Sequence, residues 1–83
     1  MLNASEKIKA VLRFLATQHG EKYDSWIKIK LKLTHAEIGE LSGMSRETVS
    51  RELNRLKTEG VINSEKGDIS IKKNGLMSEL VIF

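Results

Sequence analysis

The chain has 83 residues, no cysteine and no proline, with 40% hydrophobic and 30% charged side chains. That length holds one small domain around one core, the lack of cysteine excludes disulfides and thiolate zinc sites, and no apolar run approaches the ~18 residues of a membrane span. The net charge of +3 and a pI near 9.3 favour a polyanionic partner without requiring one. Residues 1–20 lack the apolar region of a signal peptide, so the expectation is a cytoplasmic chain.

The spacing predicts a first helix over Asn3 to Gln18. Asn3 and Glu6 make an N-terminal capping signature, and Ile8, Val11, Leu12 and Leu15 recur at i, i+3, i+4 and i+7, with Phe14 widening the stripe. Gly20 follows as a C′ residue. Glu21 to Ser25 reads as a polar connection. In the run from Trp26 to Leu33, Ile27, Ile29, Leu31 and Leu33 alternate with Lys28, Lys30 and Lys32, the period of a half-buried strand ending at Thr34. The lysine row is expected to be a solvated face that also discourages unwanted strand pairing, in preference to a row of DNA-phosphate contacts. Trp26 lies in phase with the lysines and covers the sheet margin.

Residues 34–59 read as two helices joined by a tight turn. Thr34 and Glu37 form a T-x-x-E capping box, and Leu33 and Ile38 occupy the positions of a hydrophobic staple. Ile38 and Leu41 supply an inner face, and Gly39 permits close approach of a second helix. Gly43 ends the first helix, since glycine reaches the left-handed conformation without a Cβ clash. Ser45 caps the second, in which Val49, Leu53 and Leu56 form the buried stripe. His35, next to the cap, is expected to be solvated.

Beyond Gly60, Val61 to Ser64 and Asp68 to Ile71 read as two short strands with Glu65-Lys66-Gly67-Asp68 supplying the turn, a hairpin over about 61–71. Ile62, Ile69 and Ile71 face the core, and Lys66 at the tip is a candidate phosphate contact. Asn74 to Leu80 reads as a last short helix, followed by the apolar tail Val81-Ile82-Phe83.

Opposite the Val49–Leu53–Leu56 stripe lie Glu47, Arg51 and Asn54, with Ser50 beside them and Arg46 in the first turn. Arginine bonds guanine O6 and N7 in a major groove, and a carboxylate accepts from cytosine N4. Glu47 and Arg51 also fit an ordinary i,i+4 surface pair. Their place just past a Gly-x-Ser turn, after a short capped helix, favours the groove-reading role.

Thr34-His35-Ala36-Glu37-Ile38-Gly39 and the run Gly43-Met44-Ser45-Arg46-Glu47-Thr48-Val49-Ser50-Arg51 resemble the DNA-binding domain of the cyclic-AMP receptor protein and fumarate–nitrate regulator family. Weaker similarity runs from about Ser5 to Leu80. The resemblance implies an α+β, mainly α fold: a winged helix-turn-helix with a three-helix core and a β-hairpin wing. It implies recognition over residues 46–58, with Arg46, Glu47, Ser50 and Arg51 reading bases and Thr34, Ser45 and Thr48 joining Lys66 on phosphates. It further implies a half-site like TGTGA, a two-fold-symmetric operator, a homodimeric parent with an N-terminal sensory domain absent from this chain, and RNA polymerase as a further partner. One departure is Glu52, where members often carry an apolar residue.

No enzymatic constellation competes. His19 and His35 are the only histidines and are not in metal-ligand spacing, the serines have no base and orienter, and no glycine-rich phosphate loop is present. No cofactor or metal is expected. The remaining alternative is a winged helix used only for protein contact, which would more often expose apolar residues on the second helix of the pair.

Overall fold

In the computed structural model, which describes residues 3–65 and 67–73 (Tyr23 by its backbone alone), helix α1 spans Ala4–His19. Asn3 caps it: Glu6 N–H donates to Asn3 Oδ1 at 2.9 Å. Ile8, Leu12, Leu15 and Ala16 are buried, whereas Phe14, expected to widen the stripe, is 59% exposed.

The helix does not end in a left-handed cap. Gly20 is extended (φ −88, ψ 147) and begins strand β1 (Gly20–Tyr23). A Cβ at Gly20 would lie 2.1 Å from the Ala16 carbonyl oxygen and 2.6 Å from Ile27 Cγ2, so close approach rather than φ requires glycine. The segment expected as a polar connection is therefore an edge strand. It pairs antiparallel with β2 (Trp26–Ile29) around a turn in which Asp24 is left-handed (φ 50), a conformation aspartate tolerates better than most residues.

Ile27 and Ile29 are buried on β2, but the strand stops there and not at Leu33. Leu31 is 39% exposed, and Leu33 packs only partly against the core. The alternation persists past the last paired residue, so periodicity overestimates the strand. Two of the lysines answer to carboxylates across the sheet: Lys28 lies 3.6 Å from Asp68 and Lys30 3.8 Å from Glu21.

Helices α2 (His35–Ser42) and α3 (Arg46–Thr58) follow, then strands β3 (Ile62–Glu65) and β4 (Asp68–Lys72). The four strands form one antiparallel sheet in the order β1-β2-β4-β3. Strand β4 is shared: Ile71 pairs with Ile27 on one side and Ile62 on the other. The three-helix core and wing are as expected, with one more strand in the sheet.

Among the described residues, one cluster closes the interior. Ile8, Leu12, Ile38, Val49, Leu56 and Ile71 are fully buried, joined by Leu53, Ile62 and Ile69. Each such side chain contributes about 1.5–3 kcal/mol relative to exposure. Leu41, assigned to the inner face of α2, is instead 57% exposed. On this eight-residue helix Ile38 and Gly39 alone are buried, so the apolar face is narrower than its composition suggests. Lys66, the helix expected over Asn74 to Leu80 and the tail after it lie outside the described residues.

Candidate nucleic-acid interface

The Thr34 capping box sets α2. Glu37 N–H donates to Thr34 Oγ1 (3.1 Å), and Thr34 N–H donates back to Glu37 Oε1 (2.8 Å). The hydroxyl accepts in this arrangement and keeps its own hydrogen, which can be given to an anionic oxygen.

The turn between α2 and α3 converges on Gly39. Its carbonyl accepts from the Gly43 and Met44 N–H groups, the latter at 2.9 Å, and from Ser42 Oγ at 3.3 Å. Gly43 is left-handed (φ 75, ψ 23). A Cβ on Gly39 would meet the Met44 carbonyl oxygen at 2.4 Å. The backbone of the turn itself, not a neighbouring helix, excludes a side chain there.

Ser45 then caps α3, accepting from Thr48 N–H at 3.1 Å while its own O–H donates to Thr48 Oγ1 at 2.9 Å. Ser45 therefore spends its hydrogen inside the protein, whereas Thr48 retains one to donate outward. Arg51 Nη2 reaches the same Thr48 oxygen at 3.5 Å, a long contact that orients the arginine without holding it.

With Val49, Leu53 and Leu56 buried, α3 turns Arg46, Glu47, Arg51 and Asn54 outward. Arg46 pairs with Glu47 across 3.9 Å, at side-chain exposures of 69% and 75%. At that exposure the pair contributes little and opens at low cost. The i,i+4 alternative of Glu47 with Arg51 does not occur: Glu47 turns to Arg46 and Arg51 to Thr48.

Ser50 and His35 stand differently from the sequence reading. Ser50 is half-buried, and its Oγ lies 2.6 Å from Nδ1 of His35, which is half-buried as well. The histidine expected to be solvated thus joins the start of α2 to the middle of α3. It also lines a cleft of about 320 Å³ between α2 and the β3–β4 hairpin, with Lys32, Thr34, Ser64 and Ile69.

Farther along α3 the charges are paired internally. Arg55 donates to Glu52 Oε1 from Nε (3.2 Å) and Nη2 (2.9 Å), to Glu59 Oε2 from Nη1 (2.7 Å), and to Ser5 Oγ on α1. Hydrogen bonding to Glu52, reinforced by the Glu59 charge, raises the Arg55 guanidinium above its ordinary value despite the opposing effect of burial. Glu52 is packed against this fork with its side chain 15% exposed. Lys57 Nζ donates to the Ser64 carbonyl at 3.3 Å, fastening α3 to β3.

Among the described residues, no group of His, Asp or Glu is placed to hold a metal ion, and no helix is long and apolar enough to cross a membrane.

The chain is similar to known proteins. The chain is 34% identical over 59 residues to the HTH-type transcriptional regulator ArcR of Staphylococcus epidermidis, covering 71% of this chain and 26% of that protein. It is 39% identical over 49 residues to the cyclic AMP receptor protein of Thermus thermophilus, covering 59% of this chain and 23% of that one. The structure of CprK complexed with OCPA superposes with a TM-score of 0.80 at 28% identity, over 96% of this chain and 37% of CprK. The chain thus spans about a quarter of the length of these curated relatives. Residues 6–78 match the Crp-like helix-turn-helix domain, and with most of its length in that match the chain belongs to this family.

Proposed function

We propose that this domain binds double-stranded DNA sequence-specifically, with α3 in the major groove. Family membership carries the coarse function, DNA binding in transcription regulation. The observation that carries the finer reading is the division of α3. Its buried stripe is fixed by the core, while Arg46, Glu47 and Arg51 stand exposed in its first two turns with only weak internal partners.

In this reading Arg46 and Arg51 bond guanines, Glu47 accepts from a cytosine amino group, and Ser50 reads a neighbouring base. The Thr34 and Thr48 hydroxyls, each with a hydrogen to give, and Lys66 of the wing hold phosphates, which fixes register without reading sequence. Ser45 contributes by ordering the first turn. The preferred half-site resembles TGTGA. A longer cytoplasmic regulator carrying this domain acts as a dimer on a two-fold-related site, with half-sites about 34 Å apart and RNA polymerase as a further partner.

The test is selection of bound duplexes from a random pool, followed by competition with duplexes changed one base pair at a time. The expected result is a G·C-containing consensus read by Arg46, Glu47 and Arg51. Equal binding to all duplexes would overturn sequence-specific reading, and no binding even at low salt would favour a winged helix used only for protein contact.

A further inference from the structure

From the His35–Ser50 contact we infer that His35 is a positioning residue: it sets which way the Ser50 hydroxyl turns its hydrogen, and thereby which base-edge chemistry α3 accepts at that position. The inference rests on α3 being the recognition helix.

The contact is short, 2.6 Å from Nδ1 to Oγ, and joins residues 15 apart on two different helices. Both side chains are half-buried, so water competes weakly and the bond is strengthened by its surroundings. A serine hydroxyl has one hydrogen and two lone pairs, and an imidazole Nδ1 is either bare or protonated. These facts allow two arrangements. With Nδ1 bare, Ser50 O–H donates to it, and Oγ turns only lone pairs outward. Such an oxygen accepts from the amino groups of adenine N6 or cytosine N4. With a hydrogen on Nδ1, the ring donates to Oγ and the serine hydrogen turns outward. It then suits thymine O4, or guanine O6 and N7.

The neutral ring reaches both arrangements through its two tautomers. The imidazolium carries hydrogen on both nitrogens and reaches only the second. Protonation of the ring therefore narrows the choice. It favours carbonyl and N7 acceptors over amino donors at the base pair facing Ser50.

Among the described residues, the charges around the pair are these. Lys32 lines the cleft with His35 from the segment before α2. On α2, Glu37 is committed to the Thr34 backbone. On α3, Arg46, Glu47 and Arg51 flank Ser50, with Arg46 and Glu47 paired to each other. The hairpin contributes the uncharged Ser64, Gly67 and Ile69 to the cleft. A protonated His35 would also strengthen binding to every duplex through its charge. The informative quantity is therefore a ratio of affinities between sequences, which a uniform charge effect leaves unchanged.

The experiment uses the 83-residue chain, its selected duplex and single-base-pair variants of that duplex. Ser50→Ala first identifies the base pair whose discrimination depends on the hydroxyl. At that pair the affinity ratio of acceptor-presenting to amino-presenting duplexes is measured at about pH 8 and about pH 5.5, a range over which imidazoles change charge. For the native chain we expect the ratio to rise about three- to tenfold on acidification, the size of one hydrogen-bond preference. His35→Gln keeps a hydrogen-bonding side chain that does not titrate, and His35→Ala removes it. Both should bind the preferred duplex with a ratio that no longer changes with pH. A pH-independent ratio in the native chain overturns the inference, as does the same pH response in His35→Gln, or a Ser50→Ala variant with unaltered discrimination throughout. Those outcomes leave α3 as the reading helix if Arg51→Ala still loses affinity for the preferred duplex. If Arg51→Ala loses nothing, the assignment of α3 itself has failed.

Discussion

The two halves of α3 carry similar residues and use them in opposite ways. Near the N-terminus, Arg46 and Arg51 have single, long contacts at 3.9 and 3.5 Å. Near the C-terminus, Arg55 is gripped by Glu52, Glu59 and Ser5. An arginine already satisfied must break charge-assisted bonds before meeting a new partner, whereas a loosely held one exchanges little but water. A basic helix thus separates into a half left open to a partner and a half tied into the domain. The basic residues of the last turn, Arg55 and Lys57, also suit the negative end of the helix dipole.

The largest effect should come from the face both halves share. Leu56→Ala empties a fully buried position and should cost about 2–5 kcal/mol of folding stability, measured by urea unfolding. Next, Arg51→Ala should cost about 1–3 kcal/mol on the preferred duplex and relax discrimination at one base pair, with the unfolding midpoint unchanged. A matching loss of stability would erase the distinction between the halves. Ser45→Ala removes the α3 cap and should cost about 1 kcal/mol of stability. Its binding should recover when compared at equal folded fraction. Glu47→Ala should raise affinity for non-specific duplexes while lowering discrimination, because it removes a negative charge near phosphates. The smallest expected change is from Arg55→Ala: a slight loss of thermal stability with base discrimination intact. If it altered sequence preference, the reading surface would extend farther along α3 than its hydrogen bonding indicates.

Much of the fold was legible because it is written locally. The Asn3, Thr34 and Ser45 caps involve residues three apart, and the Val49–Leu53–Leu56 stripe needs only helical periodicity. The misplaced features depend on partners distant in sequence. Strand β1 has too little apolar pattern to announce itself and exists because Gly20 to Tyr23 finds Trp26 to Ile29. Leu41 belongs to a helix too short for the spacing to show how narrow its buried face is. On α3, the exposure of Arg46, Glu47 and Arg51 was readable from the buried stripe opposite them. The bond between His35 and Ser50 was not, since nothing in either residue's neighbourhood names the other. Only the packing of α2 on α3 brings them together.

The sharing of β4 has a mechanical consequence. A hairpin anchored by one ladder swings on its turn, but here the second strand of the wing is also laced to β2, and β2 to β1, which runs directly out of α1. Lys57 ties α3 to the other wing strand. The separation of the wing from α3 is thus set from both sides, by the sheet and by this bond. In the proposed reading, duplexes whose grooves are already near the matching width would be gripped without deformation, while others would have to bend or twist to fit and would bind more weakly, even at base pairs that no side chain touches.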